Sequence, residues 1–277
     1  PYLDSKDGSP TNQDGDGRSM YAGYVTADQN WTSSDAPVLV GRTIMQGHLT
    51  LGAGATVRSR GPTLEVLGDL TSNATASEPV TFRADSGTPR PGDWNGVVLR
   101  AGAAEDLAHW RVRHAKTGLA IRGWGGARQI TDLEVTDIKN RAVMIDGATI
   151  DAQGWAIARS EGEGIRIEGN SEFTLSNTTV ENTGGDGLHI RDGSTLTLSE
   201  GTFRDTGGSA INFSGTAGEV EETSIENFGA NGIEVYGGGA QVVAERVTIE
   251  QTASERIRTG SGLRVRDGGT LTLTGST

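Results

Sequence analysis

Seven polar residues in the second half of the chain are spaced so that they could act together. Arg166 and Glu168, His189 and Arg191, and Glu234 and Tyr236 form pairs two residues apart, and Asn212 falls between them, at steps of 22 or 23 residues. A cation beside a base is what proton abstraction next to a sugar carboxylate needs: the cation neutralises the carboxylate and the base takes the C5 proton. Arg166 or Arg191 fits the first role, and His189 or Tyr236 the second. A glycosidase would instead need two carboxylates at suitable separation. Glu168 and Glu234 lie three steps apart, roughly 14 Å if each step is one strand spacing, which fits neither stereochemical route. The same residues also read as cross-strand ion pairs, Glu168 with Arg191 for instance, on a solvated sheet face.

A repeat must hold these residues in place. The position of Leu188 recurs as Val97, Leu119, Val143, Ile165, Ile211, Ile233 and Leu263, at steps of 22 to 24 residues and then 30. Two places on, an apolar residue recurs as Leu99, Ile121, Ile145, Ile167, Ile190, Phe213, Val235 and Val265. Each repeat thus opens with an in-out-in strand of period two. A second strand follows (Phe173–Leu175, Leu196–Leu198, Leu271–Leu273), and a third centres on Val112, Val135, Ile157, Val180, Phe203, Ile225 or Ile249. Three strands and three turns in about 23 residues make one coil of a parallel β-helix. The expectation is an all-β, right-handed parallel β-helix of about nine coils with three parallel sheets, its hand set by the crossover rule for parallel strands. On the first strand the outward residues form two files. One reads Met144, Arg166, His189, Asn212, Glu234, and the other Asp146, Glu168, Arg191, Ser214, Tyr236.

The turns agree with this. Two residues after the third-strand position come His114, Asp137, Arg159, Asn182, Asp205, Asn227 and Gln251, a column rich in residues that tolerate left-handed backbone. The next corner is glycine: Gly184-Gly185, Gly207-Gly208 and Gly229. Trp124, in the turn from Gly123 to Gly126, is the aromatic expected to be exposed, and it joins the seven polar residues as a ligand-binding candidate. Trp94 is expected to pack over the loop 86–93.

The 277-residue chain has no cysteine and a formal net charge of −12. That excludes disulfides and thiolate metal sites, and disfavours nucleic acid or anionic membrane as a general partner. No apolar run approaches the ~20 residues of a membrane span. Phosphate-loop, zinc and Gly-x-Ser-x-Gly patterns are absent. Residues 1–35 read as an acidic leader or N-terminal cap, and 36–277 as the β-helix domain. Within the leader, Asn12, Asp14 and Asp16 alternate as calcium ligands do, but the closing carboxylate is missing, since position twelve of the loop is Gly23.

The run Gly68-Asp69-Leu70 through Pro79-Val80-Thr81-Phe82, followed by Gly92-Asp93-Trp94-Asn95-Gly96-Val97, resembles the opening of bacterial right-handed parallel β-helix proteins of the pectin-lyase-like superfamily. Asn73-Ala74-Thr75 departs from the pattern, which usually has glycine before the threonine. The resemblance implies an exported protein: extracellular, periplasmic or on the outer surface of a bacterium. It implies a rigid structural or adhesive module that binds a polysaccharide or a cell-surface protein, with no cofactor required. The alternative it implies is a polysaccharide lyase or related enzyme working on the first-sheet face, but the family's Asp-Pro-His-Asp, Gly-His-Gly and Arg-x-Lys signatures are missing here. The last coil stops after its second strand with Leu271 and Leu273 inward, so the expectation is that the natural chain continues or that this end associates with another copy. The segment Ser254 to Ser261 is expected to project sideways from the coil.

Overall fold

The computed structural model describes residues 12–13, 15–100, 106–124, 126–251 and 260–277. These form a right-handed parallel β-solenoid of about ten turns with no helix among the described residues. The inward column foreseen from the repeat is in register throughout: Val97 pairs with Leu119, then Val143, Ile165, Leu188, Ile211, Ile233 and Leu263. All but the last are buried. Each aliphatic side chain in such a column contributes about 1.5–3 kcal/mol by leaving water. Aromatic residues pack within the core as well, where Trp155 meets Phe173 edge-on at 5.5 Å and Phe82 meets Trp110 at 4.8 Å.

The solenoid starts earlier than residue 36. Strand Ser19–Val25 pairs in parallel with Val38–Met45, and Gln29–Trp31 with Leu49–Leu51. Tyr21, Val25 and Trp31 supply the buried residues of this first coil. Its repeat is hidden in the sequence because a register shift between Tyr21 and Gly23 breaks the period of two. At the other end, Leu271 and Leu273 stand opposite Val242 and Ala244, in the inward register expected of them, and Leu273 is 43% exposed. Residues 252–259, most of the segment expected to project sideways, lie outside the described residues.

Left-handed backbone turns the corners of the central coils. Between the third and first strands it is His114, Asp137, Arg159, Asn182, Asp205 and Asn227, with φ between 53° and 62°. This is the column anticipated from the spacing, except that Gln251 is not part of it. Asp132, Asn177, Glu200, Glu222 and Arg246 do the same between the second and third strands. At Asn177 and Glu200 the strand continues through the corner, so Glu172–Thr183 and Thr195–Thr206 each serve two sheets. The glycine column answers a different need. A Cβ on Gly184, Gly207 or Gly229 would lie 2.1, 2.2 or 2.0 Å from the carbonyl oxygen of the coil before it. Gly207→Ala is therefore expected to cost about 2–4 kcal/mol in urea unfolding, because backbone must move. Gly238→Ala, where a Cβ meets nothing within 4 Å, is expected to change stability by less than about 0.5 kcal/mol.

Candidate functional site on the first sheet

Four successive first-sheet strands carry the polar face: Glu163–Glu168, Leu188–Arg191, Ile211–Ser214 and Asn231–Tyr236. Register places Arg166, His189, Asn212 and Glu234 side by side, with Arg191, Ser214 and Tyr236 in the neighbouring file. A third file, two residues before the inward column, completes the face: Arg141, Glu163, Asp186, Ser209 and Asn231. The seven polar candidates come only from the two files after the first inward residue. The third was legible by the same counting, since 163, 186, 209 and 231 keep the period of 22 or 23.

Glu163 is the hub. Its Oε2 accepts from Arg141 Nε at 2.7 Å, its Oε1 accepts from Arg166, and His189 Nδ1 lies 3.3 Å from Oε1. Burial works against its charge, but the bonds from His189, Arg166 and Arg141 outweigh it and hold the carboxyl down at about 2. Asp186 flanks His189 on the other side, with Oδ2 at 3.7 Å from Nδ1. Asp186 also accepts from the Ser209 amide at 2.7 Å and from Asn212 Nδ2 at 2.9 Å. His189 is thus held by two carboxylates through one nitrogen, while its Nε2 is buried with no partner. Asn212 Oδ1, one coil on, is in the same condition.

The second cluster is built on Glu234. Ser209 Oγ and Asn231 Nδ2 each donate to its Oε2 at 3.1 Å, and Arg266 Nε donates to Oε1 at 3.0 Å. The Arg266 guanidinium also lies 4.0 Å from the centre of the Tyr236 ring, a cation–π contact. Ser209 joins the clusters, with its amide on Asp186 and its hydroxyl on Glu234. Glu168 pairs with Arg191 at 3.3 Å, the cross-strand pair expected from spacing, and Arg191 is shared with Asp192 at 2.7 Å. Beside the Glu163 hub a depression of about 470 Å³ opens, lined by Lys139, Arg141, Glu161, Glu163, Arg166 and Gly185.

The structure unites six of the seven polar candidates around these contacts, and places Tyr236 beside them under Arg266. Trp124 does not belong with them. It is only 3% exposed and is packed in the main core, because Gly123, with φ 64°, turns the indole inward, where a large aromatic surface is worth more than in solvent. Trp94 is likewise buried and donates Nε1–H to the Arg113 carbonyl at 2.7 Å. Of the calcium candidates, Asp14 lies outside the described residues, Asn12 falls in the short strand Asn12–Gln13, and Asp16 pairs with Arg18 at 3.0 Å. Donor atoms within 4.8 Å of one another meet instead at Glu163, Asp186 and His189. A cation there would have to displace two arginines from Glu163.

Fold and register together define a right-handed parallel β-helix. The chain belongs to the family described as "Right handed beta helix region", whose model matches residues 119–277. No curated protein matches it in sequence. Among solved structures it is similar to full-length tailspike protein 2 of an Escherichia coli O157:H7 bacteriophage, at 12% identity and a TM-score of 0.53 over 88% of this chain and 35% of the tailspike. The chain therefore spans about a third of that relative's length. The isolated enzymatically active domain of the same tailspike, from bacteriophage CBA120, matches equally at 12% identity and TM-score 0.53, over 88% of this chain and 39% of that one. The alginate lyase of Paenibacillus sp. FPU-7 is similar at 15% identity and a TM-score of 0.47, over 91% of this chain and 95% of that one.

Because the Glu163 carboxyl is lowered to about 2, its stabilising effect is complete above its ordinary value of 4.5 and disappears as pH falls through about 2. With allowance for solvent screening, the effect is about 1–2 kcal/mol at neutral pH. Unfolding curves of wild type and Glu163→Gln should differ by that amount at pH 7, converge between pH 4.5 and 2, and coincide below.

Proposed function

We propose that the protein is an exported or cell-surface β-helix module whose first-sheet face binds glycan. The observation that carries this reading is the unspent hydrogen-bonding capacity in the middle of that face. Around it, charges are paired: Arg166 with Glu163, Arg191 with Glu168 and Asp192, Glu234 with Arg266. At the centre, His189 Nε2 and Asn212 Oδ1 remain unpartnered one coil apart. An unsatisfied buried polar atom costs about 1–3 kcal/mol, so a ligand group that satisfies it is rewarded by that amount. Sugar hydroxyls both donate and accept, and a chain of sugars suits an open face several coils long. A rigid solenoid presents such a face without an ordering penalty.

A second reading, a polysaccharide lyase, rests on His189. Two carboxylates fix the ring through Nδ1, which leaves Nε2 as the base. Against it, Arg166 and Arg191 are already neutralised by carboxylates, so neither is spare for a uronate.

Calorimetric titration with a panel of neutral and acidic oligosaccharides separates the readings. Binding without turnover is expected, weakened about tenfold in His189→Ala or Asn212→Ala. No binding across the panel, or equal binding by both variants, contradicts the glycan face. Ultraviolet absorbance from an unsaturated product, abolished in His189→Ala, would establish the lyase instead.

A further inference from the structure

The protein is strongly acidic, yet the N-terminal half of its third sheet collects arginine. Strand register sets Arg58 directly beside Arg83. The neighbouring pairing of Phe82 with Val112 sets Arg83, one residue on, beside Arg113. Three guanidinium-bearing residues therefore stack on consecutive coils in one outward file, about 4.8 Å apart. Like charges directly opposed across a ladder are destabilising. Arg18, Arg60 and Arg111 flank them.

Among the described residues, Asp85 and Glu134 are the carboxylates that pair with these arginines. Asp85 is shared, with Arg60 at 2.8 Å, Arg18 at 3.2 Å and Arg58 only at 3.9 Å. Glu134 is shared by Arg111 at 3.3 Å and Arg113 at 2.5 Å. Arg83 makes no ion pair or hydrogen bond among the described residues. The Nε–H groups of Arg58 and Arg113 are buried and donate to nothing, and the adjoining His114 Nδ1 is also unpartnered. Burial, with the charges of Arg83 and Arg18, pulls Arg58 below its usual range. A depression of about 360 Å³ opens at Arg111 and at Glu134, the partner of Arg113, and is lined also by Ala76, Pro79, His109 and Asp132.

We propose that the Arg58–Arg83–Arg113 file is an anion site that takes the carboxylate or sulfate groups of an acidic polysaccharide, with a sugar ring in the adjoining depression. Guanidinium forks match the two oxygens of such groups and are the residue of choice for this recognition. An oxyanion lying across the file would supply the acceptor that Arg83 lacks and offset the like charges stacked at Arg58 and Arg113. The site spans three coils, so it meets only a few anionic groups. A long polyphosphate such as nucleic acid would have to cross the rest of a surface of net charge −12, which repels it. The site is independent of the first-sheet face, on a different side of each coil.

The test is arginine side-chain ¹⁵N NMR of the whole protein, titrated with sodium sulfate, a hexa-uronide, a neutral gluco-hexaose and a single-stranded oligothymidylate. The Nε–H signals are assigned by their loss in Arg58→Lys and Arg113→Lys. Both should shift saturably with sulfate and with the uronide and stay still with the neutral sugar. Arg83→Gln should weaken uronide affinity at these signals about tenfold, the value of one charge-assisted contact. His189→Ala, on the first sheet, should leave them unchanged, so failure here is distinct from failure of the first-sheet reading. Absence of shifts, equal response to the neutral sugar, or undiminished affinity in Arg83→Gln overturns the proposal. Tighter response to the oligothymidylate than to the uronide overturns the glycan assignment.

Discussion

Each coil must lie directly on the one before it, and everything else in the molecule follows from that contact. Parallel strands pair only if the chain returns to the same place after each turn. The return is made by left-handed residues at the corners, such as Asp137, Asn182 and Asp205. Such backbone costs an ordinary residue about 1–2 kcal/mol, and Asn and Asp less, which explains their frequency there. Where successive corners touch, as at Gly184, Gly207 and Gly229, there is no space even for a methyl group. The reward is a continuous backbone ladder around a dry column of Val, Leu and Ile.

Exact stacking has an electrostatic consequence. A residue type repeated at one outward position meets itself on the next coil, so charge must alternate or be shared. On the first sheet it does both: Arg141 is followed by Glu163 in one file and Glu168 by Arg191 in another, while the neighbouring carboxylates Glu163 and Asp186 share His189. Of the 24 basic residues 21 are arginine, whose fork can hold one or two carboxylates at once, as Arg166 and Arg266 do. On the third sheet the rule is broken at Arg58, Arg83 and Arg113, and at the heart of the first-sheet face it is left incomplete at His189 and Asn212. These exceptions mark the surfaces with bonding capacity to offer.

The fold was largely legible because its signal is additive. Eight inward residues at one spacing, each weak alone, identify a solenoid together. The first coil was not legible, since its register shift at Tyr21 destroys the short-range period. The polar face was legible in part. Arg166, His189, Asn212 and Glu234 were found because they share strands with the inward column. Glu163 and Asp186 were missed because they stand ahead of it, at the strand start and in a glycine-rich corner. Trp124 was misplaced because a glycine turn reads as surface in sequence, although the same turn aims the indole at the core. Of the charge pairs, Glu168 with Arg191 was legible from spacing, whereas the contacts of Glu163 with Arg141 and Arg166 and of Glu234 with Arg266 depend on side-chain reach that spacing does not give.

Reception of a glycan by the first-sheet face turns on His189 and Asn212. The most direct measurement is a crystal structure of the protein with an oligosaccharide that it binds in solution. The account predicts sugar along the first sheet across coils 163–236, with a hydroxyl within hydrogen-bond distance of His189 Nε2 or Asn212 Oδ1. A well-ordered sugar bound only elsewhere, with both atoms still unpartnered, would contradict it.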